Sequence, residues 1–326
     1  MKSLISFILA VTVLLVSCGN SSTEPSNPEP SIYPDSLVTT IPIAGQIWKV
    51  CSTPSGAFIY VSNHFSNQVT VVRTTDNIVQ TIVDVGEEPE GICCLPSGDY
   101  VYVANTSSND VSVIRTSDNI VITTVDVELN PREVCAVPSG EYVYVTNNHS
   151  NSVSVIRTLD NVVVTSVNVG SFPTGLCALP DGSRIYVCNS GSDDVSSILT
   201  SSNTVEATID VGNAPGSICA HPNGEYLYVA NLIDNNVSVI RSSDNSVVDN
   251  ILVGDNPEGI CSLPQGDFLF VTNFSADYVS VIRTSDNVLV DSIDVSSWGH
   301  DGICALNTGD YVYAINTYDE VVSVIH

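Results

Sequence analysis

The chain has 326 residues, is 43% hydrophobic and carries a formal net charge of -27, from 36 acidic and 9 basic residues. The apolar content suffices for a sizeable core, while the charge repels phosphate backbones and anionic membrane surfaces and so argues against a nucleic-acid partner. Cationic ligands and metal ions are compatible with it, as is the plain reading that acidic loops keep a surface soluble.

The first 18 residues, MKSLISFILAVTVLLVSC, hold one lysine and an apolar run too short for a comfortable membrane span. Leu15, Val16, Ser17 and Cys18 close that run, and the four resemble the lipobox of bacterial lipoproteins. The resemblance implies that residues 1–17 are a signal peptide cleaved before Cys18, that the Cys18 thiol carries lipid, and that the new N-terminus is acylated. Two or three acyl chains anchor stably where one is marginal. The implied location is the bacterial cell envelope, outside the cytoplasm, periplasmic or at the cell surface. Residues 19–34 are polar and proline-rich, too poor in apolar surface to fold, and with Cys18 they read as a tether.

From residue 35 onward the chain repeats. Gly56, Gly98, Gly140, Gly182, Gly224, Gly266 and Gly309 each follow a proline or asparagine turn; five intervals are 42 residues and the last is 43. Within the second unit, GICCLP is a short apolar run, DYVYVAN and DVSVIRT alternate with period two, and NIVITTVDV is rich in β-branched residues. Turn chemistry of the PSGD and TSDN kind bounds the runs, and no window has a helical period. Four strands per unit and seven units predict an all-β, seven-bladed β-propeller over residues 35–326. The last unit stops after its third strand, and DSLVTTIPIAG at residues 35–45 matches DNIVQTIVDVG at 76–86. The N-terminal strand is therefore expected to complete the last blade and close the ring, with Pro42 tolerated at its outer edge.

The recurring YVYVAN, YVYVTN, FLFVTN and IYVCN, each followed by a VSVIRT-like run, resemble the YVTN-type propeller repeat and periplasmic proteins of the YncE type. That resemblance implies the fold for nearly the whole chain from Asp35. For function it implies little beyond binding, adhesion or envelope architecture, although propellers of this build include haem d1 and quinone-dependent enzymes.

The repeated residues read as scaffold. Tyr60, Tyr102, Tyr144, Tyr186, Tyr228 and Tyr313, with Phe270 in the sixth unit, should pack between blades. Asn63, Asn105, Asn147, Asn189, Asn231, Asn273 and Asn316 should hydrogen-bond the backbone of the following turn. Arg73, Arg115, Arg157, Arg241 and Arg283 should make local surface ion pairs. Cys51, Cys93, Cys135, Cys177, Cys219, Cys261 and Cys304 share one slot followed by a small residue. An oxidising compartment favours disulfides. Identical slots that all point at the next blade, and neighbours such as Cys93 and Cys94 that point to opposite faces, favour small-hydrophobe packing, and geometry prevails over a bridge or a metal site.

Function is then expected where the repeats diverge. The position three before each Cys carries Trp48, Glu90, Arg132, Thr174, Gly216, Glu258 and Asp301, which should rim the channel mouth. Loops on the same face add His64, Phe65, Phe274, Tyr278 and Tyr318, and Trp298 enters the seventh blade beside His300. An aromatic and acidic patch over blades six, seven and one follows, suited to a sugar, a peptide or a cationic group; the competing reading is that these aromatics seal the seam between the chain ends. His64 and His300 with Asp301 or Glu320 are weak candidates for a metal. No cofactor is expected beyond a possible divalent cation at the acidic loop face, and no hydrolase, zincin, haem-attachment or P-loop motif occurs. The expected role is a monomeric binding or interaction scaffold, its membrane partner engaged through the Cys18 lipid and its ligand an envelope protein, peptide or polysaccharide. The alternatives are a propeller lyase or hydrolase with a metal at the channel mouth, and a purely structural cell-surface protein.

Overall fold

The computed structural model describes residues 33–295 and 299–326. The expected signal peptide, Cys18 and nearly all of the tether lie outside the described residues, as does Trp298; of His300 and Asp301 only the backbone is described.

Among the described residues, 28 strands form seven four-stranded antiparallel sheets. Blades 1 to 6 are built from consecutive strands over residues 47–84, 89–126, 131–168, 173–210, 215–252 and 257–294. Blade 7 takes its three inner strands from residues 300–325 and its outermost from Leu37–Pro42, which pairs antiparallel with Val321–Ile325. The expected closure of the ring is present. Around it, His326 donates its amide to the Ser36 carbonyl and accepts from the amides of Asp35 and Ser36, while the Tyr33 ring lies 4.3 Å from that of Phe268.

The core is seven apolar clusters, one between each pair of adjacent blades. Each repeated cysteine packs into the cluster between its own blade and the next: Cys93 lies with Tyr102, Val134 and Val143, and Cys51 with Ile92 and Val101. Cys94 faces the other way, into the cluster of blades 1 and 2. The nine cysteines among the described residues are free thiols. Burial pushes the thiols of Cys94, Cys135, Cys219 and Cys304 up to about 12, so little reactive thiolate forms at neutral pH. Native protein at pH 8 is therefore expected to leave these nine thiols essentially unmodified by Ellman's reagent and to yield all nine once unfolded without reductant; fewer would mean bridges.

The tyrosines pack between blades as expected and also make a specific bond. Tyr60, Tyr102, Tyr144 and Tyr186 donate their hydroxyls to Asn119, Asn161, Asn203 and Asn245, and Tyr313 to Asn77, at 2.6 to 3.2 Å. Each acceptor is the left-handed residue (φ +52° to +57°) of the outer turn of the next blade, a conformation asparagine tolerates well. The strand-ending asparagines depart from expectation. Most donate to side chains of the third strand rather than to the turn backbone: Asn105 to Asp110 and Ser112, Asn147 to Ser152 and Ser154, Asn189 to Asp194 and Ser196. The residue five on lies directly across the hairpin, and a short polar side chain recurs seven on, diagonally across it. The expected arginine–aspartate pairs occur in blades 1, 2, 3, 5 and 6.

Candidate functional site

The innermost strand of every blade carries a one-residue bulge. In blade 3, Pro131 is opposite Asn147 and Val134 opposite Val145, so three steps on one strand match two on the other. The same irregularity falls between Ile47 and Val50, Pro89 and Ile92, and Pro257 and Ile260. A bulge re-aims the residues it releases from the ladder. Here those are the positions three and two before the cysteine, and they face the axis.

The lower of the two positions builds the channel. Its residues are Lys49, Gly91, Glu133, Gly175, Ser217, Gly259 and Gly302, side chains and glycines alternating around the ring. Three of the glycines are required by close approach. A Cβ on Gly91 would lie 2.5 Å from the carbonyl oxygen of Arg132, one on Gly175 2.6 Å from that of Gly216, and one on Gly302 2.7 Å from that of Trp48. Seven is odd, so strict alternation fails once, at Gly259 and Gly302. Beneath the mouth the channel forms a cavity of about 190 Å³ into which Lys49 and Glu133 project. Burial raises the Glu133 carboxyl above the ordinary carboxylate value, and the nearby Lys49 only partly opposes this.

A raised folded-state value means that the folded chain holds a proton the unfolded chain has released. Stability through this group is thus fully present below the ordinary carboxylate value near 4.3 and falls as pH rises through the folded value. Glu133→Gln is expected to melt progressively higher relative to wild type as pH goes from about 4 to 7.5; a pH-independent difference in thermal midpoint would refute this assignment.

The upper position and the adjoining loops build a mouth cavity of about 460 Å³. Of the residues expected here, the structure brings Trp48, Glu258, Phe274 and Tyr318 around this cavity. Gly299 shapes the wall. Its φ of +105° suits glycine alone, a Cβ there would run into the Tyr318 ring, and its amide and carbonyl join Phe274 of one loop to Thr317 of the next. The rings of Phe274 and Tyr318 lie 5.8 Å apart, and Tyr318 is 58% exposed.

Other expected residues have different tasks. Glu90 is not a rim group but is 3% exposed, accepting from the Thr106 hydroxyl and ion-paired with Arg132, whose Nε lies 3.0 Å from its Oε1. Trp48 is not an exposed platform: it is half-buried, stacked at 4.3 Å on a buried His64, with the Arg132 guanidinium over it 5.8 Å from the ring centroid. Phe65 is 68% exposed beside His64, outside the cavity lining. Tyr278 starts a third strand and is likewise outside it. Glu320, one of the metal candidates, accepts the Gln46 amide at 3.2 Å. No group of three or more potential metal ligands occurs among the described residues.

Arg132, expected at the rim but not selected as a ligand group, also lines the cavity, as do Gln46 and Asn256, which sequence reasoning passed over. Arg132 stands in the rim register, yet a search for aromatic and acidic residues has no reason to select the one cation in it. Gln46 Oε1 and Trp48 Nε1 are buried without hydrogen-bond partners among the described residues, one acceptor and one donor at the cavity wall. Among the described side chains of the rim register, Arg132 of blade 3 and Glu258 of blade 6 both line the cavity, together with the rings of Phe274 and Tyr318.

Comparison with known proteins agrees with this architecture. No curated protein sequence matches the chain. Among solved structures, Kuenenia stuttgartiensis hydrazine synthase superposes with a TM-score of 0.80 at 21% identity, over 91% of this chain and 98% of that one; identity so low speaks to the fold alone. The sequence profile of the YNCE-like beta-propeller matches residues 26–325, and the chain belongs to that family.

Proposed function

We propose that this protein is a binding protein of the bacterial cell envelope, held to a membrane through lipid on Cys18 and a short tether, with its ligand site in the mouth cavity of the propeller. The observation that carries the reading is the cavity itself. It is of the size that holds small ligands, and it is assembled from Trp48, Arg132, Glu258, Phe274 and Tyr318, which occupy positions where the seven repeats differ. A scaffold serving only to close a ring has no need to depart from its own repeat there. The envelope location rests on the lipobox-like Leu15 to Cys18.

Two measurements test the two halves. Full-length protein expressed with an alkyne-tagged fatty acid should become labelled and fractionate with membranes, and Cys18→Ser should lose both properties; an unlabelled wild type sinks the anchor. Native mass spectrometry of protein recovered from its own envelope should show a bound small molecule that Tyr318→Ala, still folded by circular dichroism, has lost. Identical spectra for the two would overturn the site.

A further inference from the structure

On the mouth face of blades 3 to 5, outside the cavity, stand three large apolar side chains that core packing does not account for. Leu129, Phe172 and Ile233 are each more than half exposed, and none lines the mouth cavity. Backbone bonds tie their loops together: the His149 amide donates to the Leu129 carbonyl and the Ile233 amide to that of Asn213, while the His149 ring lies 6.5 Å from that of Phe172. Leu129 stands where equivalent connections carry Glu87 or Asp255, and Ile233 where equivalent loops carry Ser107 or Ser275. Phe172 departs furthest. Its register is left-handed in every described connection, with Asn130 and Asn256 at φ +59° and +53° and Phe172 itself at +51°. Asparagine tolerates that conformation and a bulky aromatic does not, so Phe172 is kept against both its exposure and its backbone. Gly191 of blade 4 makes room for it, since a Cβ there would run into the Phe172 ring.

Charge around these side chains is one-sided. The mouth-side loops and strand ends of blades 3 to 5 carry Glu128, Asp193, Asp194, Asp210, Asp234 and Asp255. Their hydrogen bonds go to neutral groups, Glu128 to the Ser152 hydroxyl, Asp193 to the Ala214 amide, Asp194 to Asn189 and Asp234 to Asn213. None of the six enters an ion pair among the described residues. Arg132, on the same side, is ion-paired with Glu90. Toward the opposite face the same three blades carry Arg157, Arg184 and Arg241, and each neutralises a carboxylate, of Asp160, Glu206 and Asp244. Acidic loops that serve only to keep a chain soluble have no reason to surround exposed leucine, phenylalanine and isoleucine.

We propose that the mouth face of blades 3 to 5 docks a basic protein, whose apolar side chains cover Leu129, Phe172 and Ile233 and whose lysines and arginines reach the surrounding carboxylates. Apolar anchors inside a charged rim are the anatomy of a protein interface, and charge complementarity selects the occupant. A second copy of this chain brings the same carboxylates and a net charge of -27 against them. A bilayer surface is met by apolar side chains flanked with lysine and arginine, the opposite of what stands here. A cationic polysaccharide matches the charge and leaves the three apolar side chains uncovered. The surface lies outside the cavity, so the inference holds whether or not the cavity takes a small molecule.

Fluorescence anisotropy with the detergent-solubilised full-length protein tests this, protein-free micelles serving as the blank, at roughly 0.15 M salt, where diffuse surface attraction is largely screened. The probes are two labelled peptides of equal length and charge, one alternating lysine with tryptophan and the other lysine with serine. The lysine–tryptophan peptide is expected to bind at least about tenfold more tightly than the other, the size of one good apolar anchor. Phe172→Asn with Ile233→Ser, which installs residues that other blades carry at these positions, should remove that advantage while leaving the thermal midpoint unchanged or raised, because asparagine suits the left-handed backbone. Asp193→Asn/Asp234→Asn/Asp255→Asn should weaken binding about tenfold or more, whereas the matched triple on the opposite face, Glu141→Gln/Asp181→Asn/Glu225→Gln, should stay within about twofold of wild type. Equal losses in the two triples would reduce the effect to net charge and overturn the docking surface. Equal affinity for the two peptides, undisturbed by Phe172→Asn/Ile233→Ser, would overturn a protein partner, as would tighter binding of chitosan oligomers than of either peptide. Self-association of the wild type that the same double variant abolishes would make the occupant a second copy and overturn the basic partner. Binding of neither peptide at micromolar concentration overturns the proposal outright and leaves the cavity's own test, loss of a bound molecule in Tyr318→Ala, untouched.

Discussion

Excising residues 34–43 is expected to abolish cooperative folding or to lower the denaturation midpoint more than any single core substitution. The segment is the fourth strand of blade 7, and among the described residues it is where a ladder sews the two ends of the propeller together. Ile41 and Ile43, each 4% exposed, belong to the cluster between blades 7 and 1 with Ile47, Ile59, Tyr313 and Val322. Losing one such isoleucine costs about 2–5 kcal/mol, so the pair alone accounts for roughly 4–10 kcal/mol, which is comparable to the whole stability of a typical domain. The excision also bares Val321–Ile325 as a new edge strand of β-branched residues, a template for intermolecular pairing. Urea titration followed by tyrosine fluorescence, with light scattering to detect association, would measure both effects. A circular permutant that joins His326 to Asp35 through a short linker and opens the chain in an outer turn of another blade should recover the midpoint. A deletion that folds with a midpoint near wild type would show that closure contributes little.

How much of this could be read from residues alone depends on whether a feature repeats. Blade number, strand order and the closing strand were legible because one 42-residue unit recurs and the two ends supply complementary fragments of it. Phe270 shows how far such reading extends. It stands where other blades have tyrosine, and the hydroxyl it lacks would serve an asparagine in the outer turn of the next blade; blade 7 has no such turn, because its third and fourth strands come from opposite ends of the chain. The bulge on the inner strand was not legible, since the extra residue leaves the apolar pattern on either side intact. Without the bulge, nothing tells Glu90 from Glu258. Both lie three residues before a cysteine, yet Glu90 turns to Arg132 of the next blade, while Glu258 lines the mouth cavity and leans over Gly216 of the preceding blade. A neighbour's side chain decides each environment, and neighbours in the ring are 42 residues away in sequence.

The Glu90 and Arg132 pair carries the second large effect. Arg132→Met strands a carboxylate that is 3% exposed, and leaving a buried charge without its counter-ion costs about 3–5 kcal/mol. The part-exposed guanidinium places the expected loss near the lower figure, about 3 kcal/mol. Glu90→Gln should cost less, because the amide still accepts from the Thr106 hydroxyl that now bonds Oε2 at 3.1 Å and the guanidinium it releases can reach water. The decisive variant is the double one. With Glu90→Gln and Arg132→Met together no buried charge is orphaned, and replacing a whole ion pair is close to neutral, so the double variant should lie within about 1 kcal/mol of wild type. The coupling energy read from the four urea midpoints is then at least about 2 kcal/mol, well above what separated sites show. Additive losses would mean that Arg132 stabilises the rim through its contact with Trp48 and not through Glu90. Because the double variant keeps the fold while removing the guanidinium, it also separates the two roles of Arg132, holding Glu90 beneath the rim and presenting a cation to the cavity above it.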